Sequence, residues 1–167
     1  MKRTLIVVDM QNDFIDGCLG TAEAQSVVGN VAKKIAEYKS RGDEIIFTRD
    51  THGENYLDTP EGKKLPVVHC VKDTDGWQIS SKLDTTDALV IDKPNFGYTE
   101  WGTMSFDEIE LVGVCTDICV VSNALILKAL FPDAVISVDA TCCAGVTPES
   151  HNAALLTMKM CQIDVKE

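Results

Sequence analysis

Near its amino end the chain reads Leu5-Ile6-Val7-Val8 without a polar break and then stops at Asp9. A strand that is apolar at every position has to be covered on both faces, and that requirement selects a parallel sheet clothed by helices over a half-solvated antiparallel one. Short runs of the same character recur at residues 44–49 (EIIFTR), 88–92 (ALVID), 109–114 (IELVGV) and 134–138 (AVISV), with 163–165 as a short sixth. Helical patterns separate most of them. Residues 23–40 place Val27, Val31, Ile35 and Tyr38 at helical spacing before an Arg41-Gly42 stop, and further helices are expected over 117–130 and 148–160. The stretch 93–107 has room for only a turn or two of helix. Such alternation makes right-handed βαβ crossovers. The expected fold class is therefore α/β, a three-layer α/β/α sandwich on a mostly parallel sheet of about six strands. No repeat, linker or composition shift divides the 167 residues, so a single domain over 1–167 is expected.

Charge and cysteine content exclude whole classes of function. The net charge is −11, from 26 acidic and 15 basic residues, and the basic ones form no cluster. Nucleic acid and anionic membrane are poor partners for such a surface. No apolar run approaches the ~20 residues of a membrane span, and the start is too short and too soon acidic for a signal peptide, so the expected location is the cytoplasm. The seven cysteines are odd in number and hold no C-x-x-C pair, which fits reduced thiols rather than a disulfide framework.

In parallel sheets the reacting groups gather at the carboxyl ends of the strands. Asp9 ends the first run, where a buried carboxylate needs a cation or a chemical task. Lys93 follows the third run and can be that cation. Cys119 follows the fourth, in Gly113-Val-Cys-Thr-Asp-Ile-Cys119, where Thr116 or Asp117 is expected to cap a helix whose free N–H groups and dipole favour a thiolate. Asp as proton acceptor, Lys as charge balance and Cys as attacking group make a coherent nucleophile site. The bland alternatives are a structural Asp9–Lys93 pair and a core cysteine. Asp50-Thr-His52, with His69 further on, offers a carboxylate and two imidazoles, a ligand set suited to a catalytic transition metal. His151, on an expected helix, reads as a surface or packing residue.

Five segments extend this reading: Val8-Asp9-Met10-Gln11-Asn12-Asp13-Phe14 with Gly17; Arg49-Asp50-Thr51-His52; Pro66-Val67-Val68-His69-Cys70; Asp92-Lys93-Pro94-Asn95-Phe96; and Gly113-Val114-Cys115-Thr116-Asp117-Ile118-Cys119-Val120. In this order they resemble the isochorismatase-like cysteine hydrolase superfamily, and within it most of all the nicotinamidase/pyrazinamidase branch. The resemblance implies Asp9, Lys93 and Cys119 as catalytic triad. It also implies a cis peptide at Val114–Cys115 and an oxyanion hole formed by the N–H groups of Cys115 and Cys119. Asp50, His52 and His69 fall on the branch's metal ligands, for a divalent transition metal with zinc as first expectation and iron or manganese as alternatives. In that branch the metal holds the ring nitrogen of a pyridine amide, and Phe14, Phe96 and Leu65 are the expected substrate-binding residues. Two departures stand out. The loop 53–62 lacks a histidine usual in the branch, for which Glu61 is the candidate fourth ligand and Glu54 the spare, and Leu65 stands where an aromatic residue is usual.

The function so implied is hydrolysis of a small-molecule amide through a thioester, nicotinamide to nicotinate and ammonia in the first place. A metal-independent amidase of the same superfamily acting on a ureido or carbamoyl compound is the alternative, and an inactive binding or scaffold protein on the hydrolase fold is the alternative of another class. Related enzymes are dimers or larger, so a homo-oligomer is expected.

Overall fold

The computed structural model describes residues 2–167. Six strands, β1 (Arg3–Val8), β2 (Glu44–Asp50), β3 (Leu89–Lys93), β4 (Glu108–Val114), β5 (Val135–Ala144) and β6 (Asp164–Lys166), pair in the order β3-β2-β1-β4-β5-β6. Every pairing is parallel, so the sheet is wholly rather than mostly parallel. The helices are α1 (Asn12–Ile15), α2 (Ala22–Arg41), α3 (Pro60–Lys64), α4 (Val121–Leu130) and α5 (Pro148–Met160).

Side chains alternate across a strand, and both sides of β1 are apolar. Leu5 and Val7 pack with Val27, Val31 and Ile35 of α2, while Ile6 and Val8 pack with Ala124 and Leu127 of α4 and Leu155 and Met158 of α5. Those are the three layers. Thr21 caps α2 by accepting the Ala24 N–H, and Gly42 closes it in the left-handed region (φ 73°), as the Arg41-Gly42 stop predicts. Gly113 lies beside Val8 across the β1–β4 pair. A Cβ there would come within 2.1 Å of the Val8 carbonyl oxygen at a φ of 117°, so only glycine lets the two central strands approach. No helix among the described residues is long and apolar enough to cross a membrane.

Three expectations need correction. The fifth strand continues through Ala144, with a register shift against β4 between Leu111 and Gly113 that carries it past the polar Asp139 and Thr141. The helix expected from residue 117 opens instead as a π turn, Thr116–Val120, because the Cys115 carbonyl accepts from Val120 as well as Ile118. Neither Thr116 nor Asp117 caps it. Their side chains bond to His151 and to the Val146 N–H instead. Short helical pieces, α1, α3 and 3₁₀ turns at Tyr56–Asp58, Asp75–Trp77 and Trp101–Thr103, went unread because a single turn carries no periodic signal. The last of them is the one turn that the 93–107 stretch allows.

β1 and β4 are central, and the strand order reverses between them. In such sheets the segments leaving the two neighbouring strands part in opposite directions and leave a crevice at their carboxyl ends.

Candidate active site

Asp9 leaves β1 in a left-handed conformation (φ 48°), which aspartate tolerates better than most residues. Its N–H reaches the Thr48 carbonyl at 3.2 Å, and the Thr48 hydroxyl returns a bond of 2.7 Å to Asp9 Oδ1. Lys93 ends β3, two strands away, and its side chain reaches past the end of β2. The ammonium lies 2.6 Å from Asp9 Oδ2, donates to the Asn95 carbonyl at 3.0 Å and lies 3.5 Å from Cys119 Sγ. The Asn95 carbonyl and the Cys119 sulfur take hydrogen bonds, while Asp9 Oδ2 meets the ammonium as an ion pair and has no hydrogen-bond donor of its own. Asp9 and Lys93 are fully buried and Cys119 is 5% exposed.

The electrostatics differ from the thiolate expected of a helix start. Burial pushes the Cys119 thiol well above its ordinary range, the adjacent Asp9 charge adds to this, and Lys93 only partly offsets it. Burial and the Asp9 charge both push Cys119 toward the neutral thiol. Burial also raises the Asp9 carboxyl, against the pull of Lys93. Burial works against the Lys93 charge, but the Asp9 and Asp50 carboxylates outweigh it and Lys93 stays protonated.

Beside this trio stands a second cluster. Asp50 ends β2, His52 follows it, His69 comes from the loop after α3, and Glu61 sits on α3. One donor atom from each of the four lies within 4.8 Å of the others. His52 Nε2 is 2.9 Å and His69 Nε2 3.5 Å from Asp50 Oδ2, and the same nitrogens lie 3.7 and 4.0 Å from Glu61 Oε1. Donors about 2 Å from a tetrahedral ion would be roughly 3.3 Å apart, so the spacing suits one divalent metal. His69 Nδ1 lies 2.7 Å from the Val67 carbonyl, which leaves Nε2 free to act as a ligand. Asp50 Oδ1 is buried without a hydrogen-bond partner. Burial would raise Asp50, but hydrogen bonds from His52 and His69 and the Lys93 charge hold it far below the usual carboxylate range. Glu54 is exposed and lies outside this cluster, whereas Glu61 is part of it.

A cavity of about 280 Å³ opens onto both clusters. Phe14, Leu65 and Phe96 all line it, together with Leu19, Ile118 and Val146, and so do Asp50, Glu61, His69, Cys115 and Cys119. The peptide between Val114 and Cys115 is cis.

Sequence reasoning missed the residues that hold this arrangement from behind. Gln11 is fully buried; its amide donates to the Asp50 and Trp77 carbonyls and its oxygen accepts the Asp50 N–H at 2.7 Å. Asn123 on α4 accepts from Tyr98 N and Trp101 Nε1 and donates to the Phe96 and Cys119 carbonyls. Asn123, a polar side chain inside an apolar helix, carried a signal, whereas Gln11, among Asp9, Asn12 and Asp13, carried none.

The sequence model of the isochorismatase domain matches residues 3–166. The nicotinamidase/pyrazinamidase of Mycobacterium tuberculosis is 30% identical over 98% of this chain and 97% of its own length. Among solved structures, the pyrazinamidase of Pyrococcus horikoshii in complex with zinc superimposes with a TM-score of 0.85 at 28% identity, covering 100% of this chain and 99% of that one. The N-carbamoylsarcosine amidase of Thermoplasma acidophilum gives 0.81 at 25% identity, covering 100% and 96%.

Proposed function

Given that the chain belongs to the isochorismatase family of hydrolases, we propose that it hydrolyses the carboxamide of a small nitrogen heterocycle, nicotinamide first, through a thioester on Cys119. The observation that carries this reading is Lys93 Nζ, 2.6 Å from Asp9 and 3.5 Å from Cys119, buried beside a cavity that also holds a metal-type donor set.

Asp9 takes the thiol proton as sulfur attacks the amide carbon, so thiolate forms only when there is a carbonyl to receive it. Lys93 keeps its proton and balances the negative charge as it passes from carboxylate to sulfur and oxygen. The N–H groups of Cys115 and Cys119 receive the oxyanion. Asp9 then returns its proton to the leaving nitrogen and ammonia departs. The same carboxylate draws a proton from the water that attacks the thioester and passes it to the Cys119 sulfur as the carbon–sulfur bond breaks, which restores thiol and carboxylate.

Asp50, His52, His69 and Glu61 would hold a divalent metal, with zinc favoured by the Pyrococcus horikoshii relative's complex. When bound, such an ion supplies a Lewis-acidic anchor for a ring nitrogen. Phe14 and Phe96 then bracket the ring while Ile118 and Val146 exclude water. No lysine or arginine lines the cavity among the described residues, so the carboxylate of a carbamoyl amino acid would find no cationic side chain and would have to take the metal position assigned to the ring nitrogen. That favours an uncharged amide over the ureido alternative.

Ammonia release measured across nicotinamide, pyrazinamide and carbamoyl compounds, with and without chelator, tests the reading. Turnover of the heterocyclic amides that falls on chelation and returns with zinc is expected. Preference for a carbamoyl acid, or full turnover after complete metal removal, would overturn it.

A further inference from the structure

Of the chain's three histidines, His151 is the one outside the donor cluster. It lies in the early part of α5, and its Nδ1 is 2.7 Å from the Thr116 hydroxyl. Thr116 is fully buried, and among the described residues its hydroxyl has no other partner. If the imidazole were the donor, the hydroxyl proton would be left buried without an acceptor. The arrangement that satisfies both groups has Thr116 donating to an unprotonated Nδ1.

The turn that Thr116 opens is the one that carries Cys119, and it lacks a side-chain cap of its own. A π turn makes wider loops than an α-helix and is frequent at functional sites, and with no side-chain cap of its own this one depends on neighbouring contacts to fix its pitch. Two ties run to the start of α5 and the segment before it. One is the Thr116–His151 bond; the other joins the Asp117 carboxylate to the Val146 N–H, with both oxygens at 3.2 Å. Gly145 fits His151 so closely that a Cβ would come within 2.9 Å of the His151 Cβ. His151 does not line the cavity.

We propose that His151 is a positioning residue for the reactive turn: through the Thr116 hydroxyl it holds residues 115–119 so that the Cys119 thiol stays beside Lys93 and the Cys115 and Cys119 N–H groups face the cavity. This rests on the reading of Cys119 as nucleophile. The ring contacts of Phe14 and Phe96 and the metal-type donors come from other elements, so loss of the bond should show in kcat far more than in KM.

The test uses two ways of breaking the bond, Thr116→Val and His151→Leu, and two conservative replacements, Thr116→Ser and His151→Asn, in the metal-loaded full chain. The breaking variants are expected to lose about tenfold in kcat, the scale of one misplaced oxyanion donor or less, with KM within about twofold. Thr116→Ser and His151→Asn should recover most of the loss, and the double variant Thr116→Val/His151→Leu should be no worse than the poorer single one. Parental kcat in Thr116→Val, or losses that the conservative variants fail to rescue at matched thermal stability, would overturn the proposal. Cys119 alkylation by iodoacetamide provides a second readout that needs no substrate. The breaking variants should react roughly threefold or more slowly than the conservative ones, because the thiol drifts from Lys93. Equal alkylation rates across the set overturn the positioning role even if no amide is turned over, whereas absent turnover with the expected alkylation pattern counts against the amidase reading alone.

Discussion

Asp9 has no contact with solvent, a left-handed backbone, and an ammonium at 2.6 Å, and burial lifts its carboxyl above the ordinary value. A group so placed can accept and return a proton within one cycle. Asp9→Asn keeps the shape and the bond from Thr48 while removing the base, so kcat should fall by ~10²- to 10⁴-fold with little change in KM, as steady-state kinetics would measure. Near-parental turnover would remove Asp9 from the mechanism. At Cys119 the same burial reverses an expectation drawn from helix polarity, since desolvation and the Asp9 charge outweigh what the turn and Lys93 contribute. The thiol should therefore alkylate slowly at neutral pH without substrate, and a rate matching that of an ordinary exposed cysteine would contradict the protonated resting state.

At the scale of elements, β4, the π turn and α4 form one device that delivers Cys119 to the end of β1. Asn123 couples this device to the segment after β3 through three hydrogen bonds, from Tyr98 N and Trp101 Nε1 and to the Phe96 carbonyl, while a fourth holds the Cys119 carbonyl within the device. Asn123→Ala would leave the Trp101 Nε1 and Tyr98 N–H buried and unpaired. It should destabilise the chain by roughly 2 kcal/mol and raise KM as Phe96 loosens, to be read from urea unfolding and kinetics. An unchanged unfolding midpoint would mean the segment is held by other contacts. The core strands were legible because burial on both faces writes an unbroken apolar run, as in Leu5-Ile6-Val7-Val8. Asp9, Lys93 and Cys119 were legible because each follows such a run. Gln11, Thr48, Thr116 and Asn123 were not, because a polar residue does not reveal its partner, and most of their partners lie some 20 to 66 residues away. The π turn was hidden for a related reason: the apolar pattern of 117–130 is compatible with either pitch.

Across the whole molecule, the sheet has a second charged centre, partway along its strands and under α2. Glu110 of β4 is buried and accepts from Tyr38 and Lys34 of α2 and Lys166 of β6, while Lys34 also pairs with Asp139 of β5 at 2.7 Å. One carboxylate thus joins three elements, with a fourth linked through Lys34. Burial would raise Glu110, but Lys166, Tyr38 and Lys34 hold it below its ordinary 4.5, and Asp139 is likewise held below 3.8. Both are depressed in the folded chain, so their stabilisation is present above those unfolded values and lost as pH falls through the folded ones. Thermal stability should decline below about pH 4.5 on this account. Glu110→Gln should lower the neutral-pH midpoint and flatten that acid decline in thermal melts. A parallel decline in parent and variant would assign acid sensitivity elsewhere.

β3 is an edge strand, paired on one side only, with Leu89 49% exposed, and yet it is the strand that ends in Lys93. An edge strand is held by half the ladder of a central one and can peel away while the rest of the sheet stays closed. Its amides should exchange with deuterium sooner than those of β1 or β4. In rising urea, catalysis should then vanish before far-ultraviolet ellipticity does, with sub-global opening of β3 setting how long the enzyme keeps working under stress.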